Sequence, residues 1–261
     1  MDLNLSGKRA VVCGATQGIG RAAAEELARL GASITLMARS EEKLRAVIGE
    51  LHKTQNQKHE YLVVDFNMPE DVKLTADIYS QSNPVHILIN NTGGPPAGPA
   101  IDARVFEFVN AFQSHVICNQ YLVQAFVPSM KQAKYGRIIN IISTSVKSPI
   151  KGLGVSNTIR GAVANWAKTL SFELAQFGIT VNNVLPGATM TGRLEQIIKG
   201  KAKALHKSEE EVINEMIDEI PAGRIGEPHE VGAVIAFLAT PAASYINGIN
   251  VPVDGGRTGN L

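Results

Sequence analysis

The chain has 261 residues, of which 44% are hydrophobic and 19% charged. That supplies apolar surface for a large core and excludes a chain too polar to fold. A formal net charge of +1 argues against nucleic acid or an anionic membrane as the main partner.

Two cysteines, Cys13 and Cys118, offer no disulfide framework and no metal-ligand spacing, so no metal is expected and a reduced, intracellular setting is. Met1 to Lys8 lack the apolar run of a signal peptide, and the run Val231 to Ala239 is too short to span a bilayer. A cytoplasmic protein is the expectation.

Short β-rich runs alternate with longer helical ones. Candidate strands are Arg9–Cys13, Ser33–Ala38, Glu60–Asp65, Val85–Asn90, Arg137–Ile142, Thr180–Leu185 and Ile249–Val253. The clearest helical segments are Arg21–Leu30, Glu41–His52, Pro69–Gln81, Ser156–Phe177 and Glu227–Leu238, with a further apolar helical stretch around Val105–Met130. Strands that are apolar throughout, each followed by a helix, predict a parallel sheet covered on both faces. No linker, repeat or low-complexity segment divides the chain. One doubly wound α/β domain over residues 1–261, with about seven parallel strands, is the predicted fold.

The first strand runs into Cys13-Gly14-Ala-Thr16-Gln17-Gly18-Ile19-Gly20 and then a helix. Glycines there let the chain turn tightly and let a pyrophosphate approach the backbone at a helix N-terminus. The spacing is Gly-x3-Gly-x-Gly, and the same turn would also serve as a bare strand–helix connection. The second strand ends Ala38-Arg39-Ser40, with Arg39 lying 19 residues beyond Gly20. An acidic residue near that place binds a ribose 2′-hydroxyl, whereas an arginine accommodates a 2′-phosphate. NADP(H) is therefore expected in preference to NAD(H).

Asp65 closes the third strand and is followed by Phe66. Its carboxylate either meets an adenine amino group or caps the following turn. The fourth strand leads into Asn90-Asn91-Thr92-Gly93-Gly94-Pro95-Pro96-Ala97-Gly98-Pro99. Such a loop, at the carboxyl end of a strand, is where open α/β sheets bind ligands.

These residues together resemble the short-chain dehydrogenase/reductase family, nearest to its 3-oxoacyl-acyl-carrier-protein reductase branch. The resemblance rests on Gly14, Gly18 and Gly20, and on Asn90-Asn91-Thr92-Gly93 against the family's Asn-Asn-Ala-Gly. It continues through Pro186-Gly187-Ala-Thr189-Met-Thr191, Ile220–Pro228 and Val253-Asp254-Gly255-Gly256, and so runs essentially end to end. It implies a Rossmann-type fold and a nicotinamide cofactor. The residues implied to hold it are Gly14, Thr16, Gln17, Gly18, Ile19, Gly20, Arg39, Ser40, Asp65, Phe66, Asn91, Thr92, Gly93, Arg160, Pro186, Gly187, Thr189 and Thr191.

The family acts with Asn, Ser and Tyr-x-x-x-Lys. Ser143 stands at the serine, but counting thirteen residues on gives Ser156 for the tyrosine and Arg160 for the lysine. Counting back thirteen from Pro128 puts His115 at the asparagine. No tyrosine occurs between Tyr135 and Tyr245, so a small shift of frame restores nothing. A phenol with a pKa of about 10 is readily tuned towards neutrality by an ammonium, whereas an aliphatic hydroxyl is far less acidic. Arg160 stays charged and shuttles no proton, yet it can bind the ribose and stabilise negative charge. His115, with an ordinary pKa of about 6.5, is then the candidate acid, or else a helix histidine satisfied by a neighbour. Ser156 and Arg160 also admit a plainer reading as a helix cap and a surface arginine.

Residues 190–220 interleave apolar and charged side chains and read as a candidate substrate lid. Its lysines are either a solvated face or a contact for an anionic acyl carrier. Apolar helix faces around Val105–Met130 and Ser156–Phe177 suit a homodimer or homotetramer. The expected function is reduction of a small-molecule carbonyl, acyl-thioesters included, or oxidation of the alcohol. The alternative is a dinucleotide-binding sensor or oligomer partner without turnover.

Overall fold

The computed structural model describes residues 1–54 and 56–259. The strands are β1 (Arg9–Cys13), β2 (Ser33–Ala38), β3 (Glu60–Val63), β4 (Ile87–Asn90), β5 (Gly136–Ile141), β6 (Ile179–Pro186) and β7 (Asn250–Val253). They form one parallel sheet in the order β3-β2-β1-β4-β5-β6-β7. The helices are α1 (Gly18–Arg29), α2 (Glu41–Glu50), α3 (Pro69–Ser80), α4 (Val105–Phe112), α5 (Cys118–Ala133), α6 (Gly154–Leu174), α7 (Gly192–Leu205), α8 (Glu209–Asp218) and α9 (Pro228–Ala239).

Alternation within β1 explains the three layers. Ala10 and Val12 join Ala23 and Leu27 of α1 and Ile235 of α9 on one face of the sheet. Val11 and Cys13 join Val72 of α3, Phe126 of α5 and Leu170 of α6 on the other. Successive side chains point to opposite faces, so a strand buried on both must be apolar throughout. The chain winds outward from β1 to β3, then crosses to β4 and winds the other way. Where the direction reverses, between β1 and β4, the loops at the carboxyl ends part and leave a crevice.

The structure moves some predicted boundaries. The third strand stops at Val63, not Asp65, because Asp65 turns the chain: its Oδ1 accepts from the Asn67 N–H and the Asn67 side-chain amide, both at 3.0 Å. The fourth begins at Ile87, since the Val85 N–H donates to Ser129 Oγ rather than to a strand. The stretch expected as a helix over Val105–Met130 is α4 and α5 joined by a wider, π-type turn, Gln113–Ile117.

A side-chain ladder runs across the carboxyl end of the sheet. Asn90, Asn140, Asn183 and Asn250 are register partners on β4, β5, β6 and β7. Asn90 donates to Asn140 Oδ1 at 2.8 Å, Asn140 to Asn183 at 2.9 Å, and Asn183 to Asn250 at 2.8 Å. An Asn140→Ala substitution strands the Asn90 amide and the Asn183 carbonyl, both buried. The expected loss is about 2–4 kcal/mol of unfolding free energy, read as a lower urea midpoint at unchanged m-value.

Candidate active site

The glycine turn is built partly for packing. Gly14 and Gly18 hold φ values of +58° and +57°, which an L side chain adopts only with strain. A Cβ at Gly14 would meet the Asn91 carbonyl oxygen at 2.4 Å, and one at Gly20 would meet the Gly14 carbonyl oxygen at 2.4 Å. Asn91 Nδ2 in turn donates to the Cys13 and Gly14 carbonyls at 3.3 and 3.2 Å, clamping the end of β1 to β4.

Thr16, Gln17 and Ile19 complete this turn into α1. Gln17 precedes the helix but places no side-chain cap on it, and the first turn carries no acid. The leading N–H groups, which no helix can satisfy internally, are left as a cradle for an anion. Thr191 closes it from the other side, its methyl 3.1 Å from where a Gly18 Cβ would stand. Its hydroxyl caps α7 by accepting from the Leu194 N–H at 3.3 Å.

Arg39 lies exposed at the end of β2, with no carboxylate partner among the described residues. Ser40 beside it caps α2, accepting from the Lys43 N–H. Phe66 packs on the core through its ring, while its carbonyl accepts from Cys118 Sγ. Pro186 ends β6. Gly187 follows and hydrogen-bonds Val253, and a Cβ there would lie 2.7 Å from Asp254. Buried Thr189 donates to the Gly187 carbonyl at 3.2 Å. Pro186, Gly187 and Thr189 thus hold the loop that carries Thr191.

The second wall starts at β5. Ser143 accepts from the Ser145 N–H at 3.1 Å and caps the short turn Thr144–Val146. Ser156 sits in the first turn of α6, half-buried, behind Leu153, which occupies the cap position. Ser156 is therefore not the helix cap of the plainer reading. The entry to α6 is tied to the β4 loop by two backbone bonds, Gly98 to Gly152 at 2.7 Å and Gly154 to Gly98 at 3.0 Å.

Nor is Arg160 a surface arginine. One turn along α6 from Ser156 it points inward, and its Nη1 donates to the Ile141 carbonyl at 2.8 Å, at the end of β5. Burial and then the nearby Arg193 lower its pKa to about 10, so it remains a cation at working pH. Arg193, from the first turn of α7, donates to the Pro95 carbonyl. Arg193 escaped the sequence reading because nothing in the α7 pattern distinguishes it from that segment's lysines.

His115 stands in the π-type turn, 2% exposed, with Nδ1 hydrogen-bonded to Thr92 Oγ1. Its Nε2 is buried without a hydrogen-bond partner among the described residues. Burial first, and Arg160 second, hold its pKa well below the ordinary histidine value. The imidazole is neutral at working pH. A charged imidazolium acid at this place would have to exist in a dry site beside a cation, which burial and Arg160 both disfavour.

The structure thus brings Ser143, Arg160, Thr92 and His115 to one end of the crevice and the glycine turn with Thr191 to the other. Asp65 holds its turn through Oδ1, which leaves Oδ2 for a ligand.

The family model described as enoyl-(acyl carrier protein) reductase matches residues 14–258. The chain belongs to the short-chain dehydrogenase/reductase family. It is 32% identical over 253 residues to a 3-oxoacyl-[acyl-carrier-protein] reductase of Haemophilus influenzae, covering 97% of this chain and 98% of that one. To a chloroplastic tropinone reductase homologue of Arabidopsis thaliana it is 32% identical over 259 residues, covering 98% and 77%. Among solved structures, L-sorbose reductase from Gluconobacter frateurii, in complex with NADPH and L-sorbose, superposes with a TM-score of 0.92 at 28% identity over the whole of both chains. An NADPH-dependent reductase involved in bacilysin biosynthesis superposes with a TM-score of 0.91 at 29% identity, covering 98% and 100%.

The neutral histidine of this short-chain dehydrogenase/reductase has a thermodynamic signature. A group whose folded pKa is depressed adds stability above its unfolded pKa and loses it as pH falls. His115 therefore contributes stability that is lost as pH falls through the ordinary histidine range, on the order of 1 kcal/mol between pH 7.5 and 5.5. His86, lowered to about 4 chiefly by burial, adds its own share. Urea unfolding at the two pH values should show the His115→Asn variant losing less than the unaltered chain, by about that amount.

Proposed function

We propose that the chain is an NADP(H)-dependent carbonyl reductase, or the corresponding alcohol dehydrogenase, that works without a phenolic acid. The observation that carries the reading is the placement of Arg160: a cation fixed by a strand-end carbonyl, two residues before Ser143 along β5. The α1 N-terminus, free of a side-chain cap and of acids, fits a pyrophosphate, and Arg39 fits a 2′-phosphate. Bound there, the dinucleotide supplies the hydride.

The remaining work falls to the chain's own residues. Ser143 orients the carbonyl oxygen. Arg160 stabilises the negative charge that develops on it, in a site where burial strengthens electrostatics, and contacts the ribose. Ser156 passes a proton from solvent to the oxygen. His115, neutral, holds Thr92 in place and is a positioning residue. Helices α7 and α8, packed through Leu194, Ile198 and Val212, cover the crevice as a lid. Substrates of 3-oxoacyl type are favoured by the Haemophilus influenzae relative.

Exposed apolar side chains on α4 and α6, among them Val105 at 79% and Phe172 at 72%, support a homodimer or homotetramer. Two buried free cysteines suit a cytoplasmic setting. Among the described residues, no helix is long and apolar enough to cross a membrane. A second reading, a dinucleotide-binding sensor or partner without turnover, is favoured by the neutral state of His115, which leaves the site without an imidazolium acid.

Titration of the chain with NADPH and NADH, followed by a panel of 3-oxoacyl, ketone, aldehyde and quinone substrates, separates the two. Consumption of NADPH is expected, and binding with no turnover across the panel supports the sensor. An Arg39→Glu variant should weaken NADPH by ~10- to 100-fold and leave NADH nearly unchanged. Equal affinity for both cofactors in the unaltered chain removes the role given to Arg39. Installing the family pair, Ser156→Tyr with Arg160→Lys, should lower kcat/KM by about tenfold or more, because the surroundings are fitted to a guanidinium. A large gain would mean that the native pair is a loss and not a reorganised site.

A further inference from the structure

Arg160 and Arg193 converge on one point. A Cβ built on Gly94 would stand 3.7 Å from Arg160 Nη2 and 3.7 Å from Arg193 Nε. Gly94 has an ordinary negative φ, so strain does not demand glycine there. What the missing side chain provides is space between two guanidinium groups. Each guanidinium is fixed by one main-chain carbonyl, Ile141 for Arg160 and Pro95 for Arg193. A guanidinium has five N–H donors, so most remain available to a ligand.

Neither arginine has a carboxylate partner within ion-pair distance among the described residues. Both are half-buried, and burial lowers the pKa of each, with the second charge lowering that of Arg160 further. Two like charges held together in a partly dry crevice call for an anion between them. The rival anion is a cofactor phosphate at the cradle formed by Gly18 and Thr191, since Arg193 follows Thr191 by two residues on α7.

We propose that Arg160 and Arg193, on either side of Gly94, bind a carboxylate of the substrate, and that the chain acts on carbonyl compounds that are also acids. The carboxylate is planar and compact and matches guanidinium geometry through paired hydrogen bonds. Arg193 is carried by α7, so the anion also draws the lid onto the β4 loop. Where the carbonyl lies rests on the reductase reading; the anion site itself does not.

The test uses the NADP⁺-loaded protein and calorimetry with pairs of 2-oxo and 3-oxo acids, of four to eight carbons, and their methyl esters. Each pair differs only in the charge. The acids are expected to bind ~10- to 100-fold more tightly than the esters. In the Arg193→Gln variant that preference should fall to about twofold or less, with Arg193→Lys between. Absence of any acid preference in the unaltered chain overturns the inference, whether the compounds bind equally or not at all. So does an Arg193→Gln variant whose NADPH affinity falls by as much as its acid affinity, since the pair would then serve the cofactor phosphates. Binding needs no turnover, so the two readings fail separately. Acids bound through Arg193 without NADPH consumption leave the anion site standing and remove the reductase. Reduction of neutral ketones with no acid preference does the reverse.

Discussion

Four asparagines on neighbouring strands fix the level at which the functional end of this sheet begins. An amide side chain both donates and accepts, so identical asparagines in register can hand a hydrogen bond from one strand to the next. Asn90, Asn140, Asn183 and Asn250 do this across β4 to β7. A slip of one residue in any of these strands would turn the amide to the opposite face and leave its neighbours unpaired in a dry interior. The loops beyond the ladder, entered at Asn91, Ser143 and Gly187, are therefore placed relative to one shared register. Arg160 takes its fixed point, the Ile141 carbonyl, from the residue next to Asn140 on β5.

Asn91 extends the same constraint to β1. Its amide holds the Cys13 and Gly14 carbonyls, and Gly14 and Gly20 lack side chains because Asn91 and the turn itself fill the space. The turn that presents uncapped N–H groups to an anion is thus shaped by contact with the β4 loop as much as by its own glycines. One strand end supports both the glycine turn and, through Thr92 and His115, the opposite wall.

Charge distribution across the crevice follows from that geometry. The wall formed by α6 and α7 carries Arg160 and Arg193, neither with a carboxylate in ion-pair distance among the described residues, while the histidine behind it gives up its charge. A cation already in place makes a second one in the dry π-type turn costly, so His115 stays neutral and acts through shape and hydrogen bonding. Under the proposed reductase reading, stabilisation of a developing alkoxide falls to guanidinium charge, which cannot be proton-transferred away at working pH.

The sequence by itself determined the architecture. Apolar strands, alternating helices and the turn at Gly14–Gly20 are local patterns with local causes, and the observed order of elements follows them. Ser143, Ser156, Arg160 and His115 were legible as positions because the family resemblance supplies their spacing. Their states were not. The loss of the His115 charge depends on burial in a π-type turn that no periodicity marks and on a guanidinium 45 residues away in the chain. The bonds from Asp65 Oδ1 to Asn67, which shape the turn after the third strand, are likewise a matter of the folded structure. The asparagine ladder has a trace in the sequence, an asparagine at or near the end of each of four strands, but which strands are neighbours is a matter of topology. Arg193 has no such trace. Its meeting with Arg160 over Gly94 joins the β4 loop, α6 and α7, and only tertiary packing decides that two cations share a space with no carboxylate in ion-pair distance among the described residues.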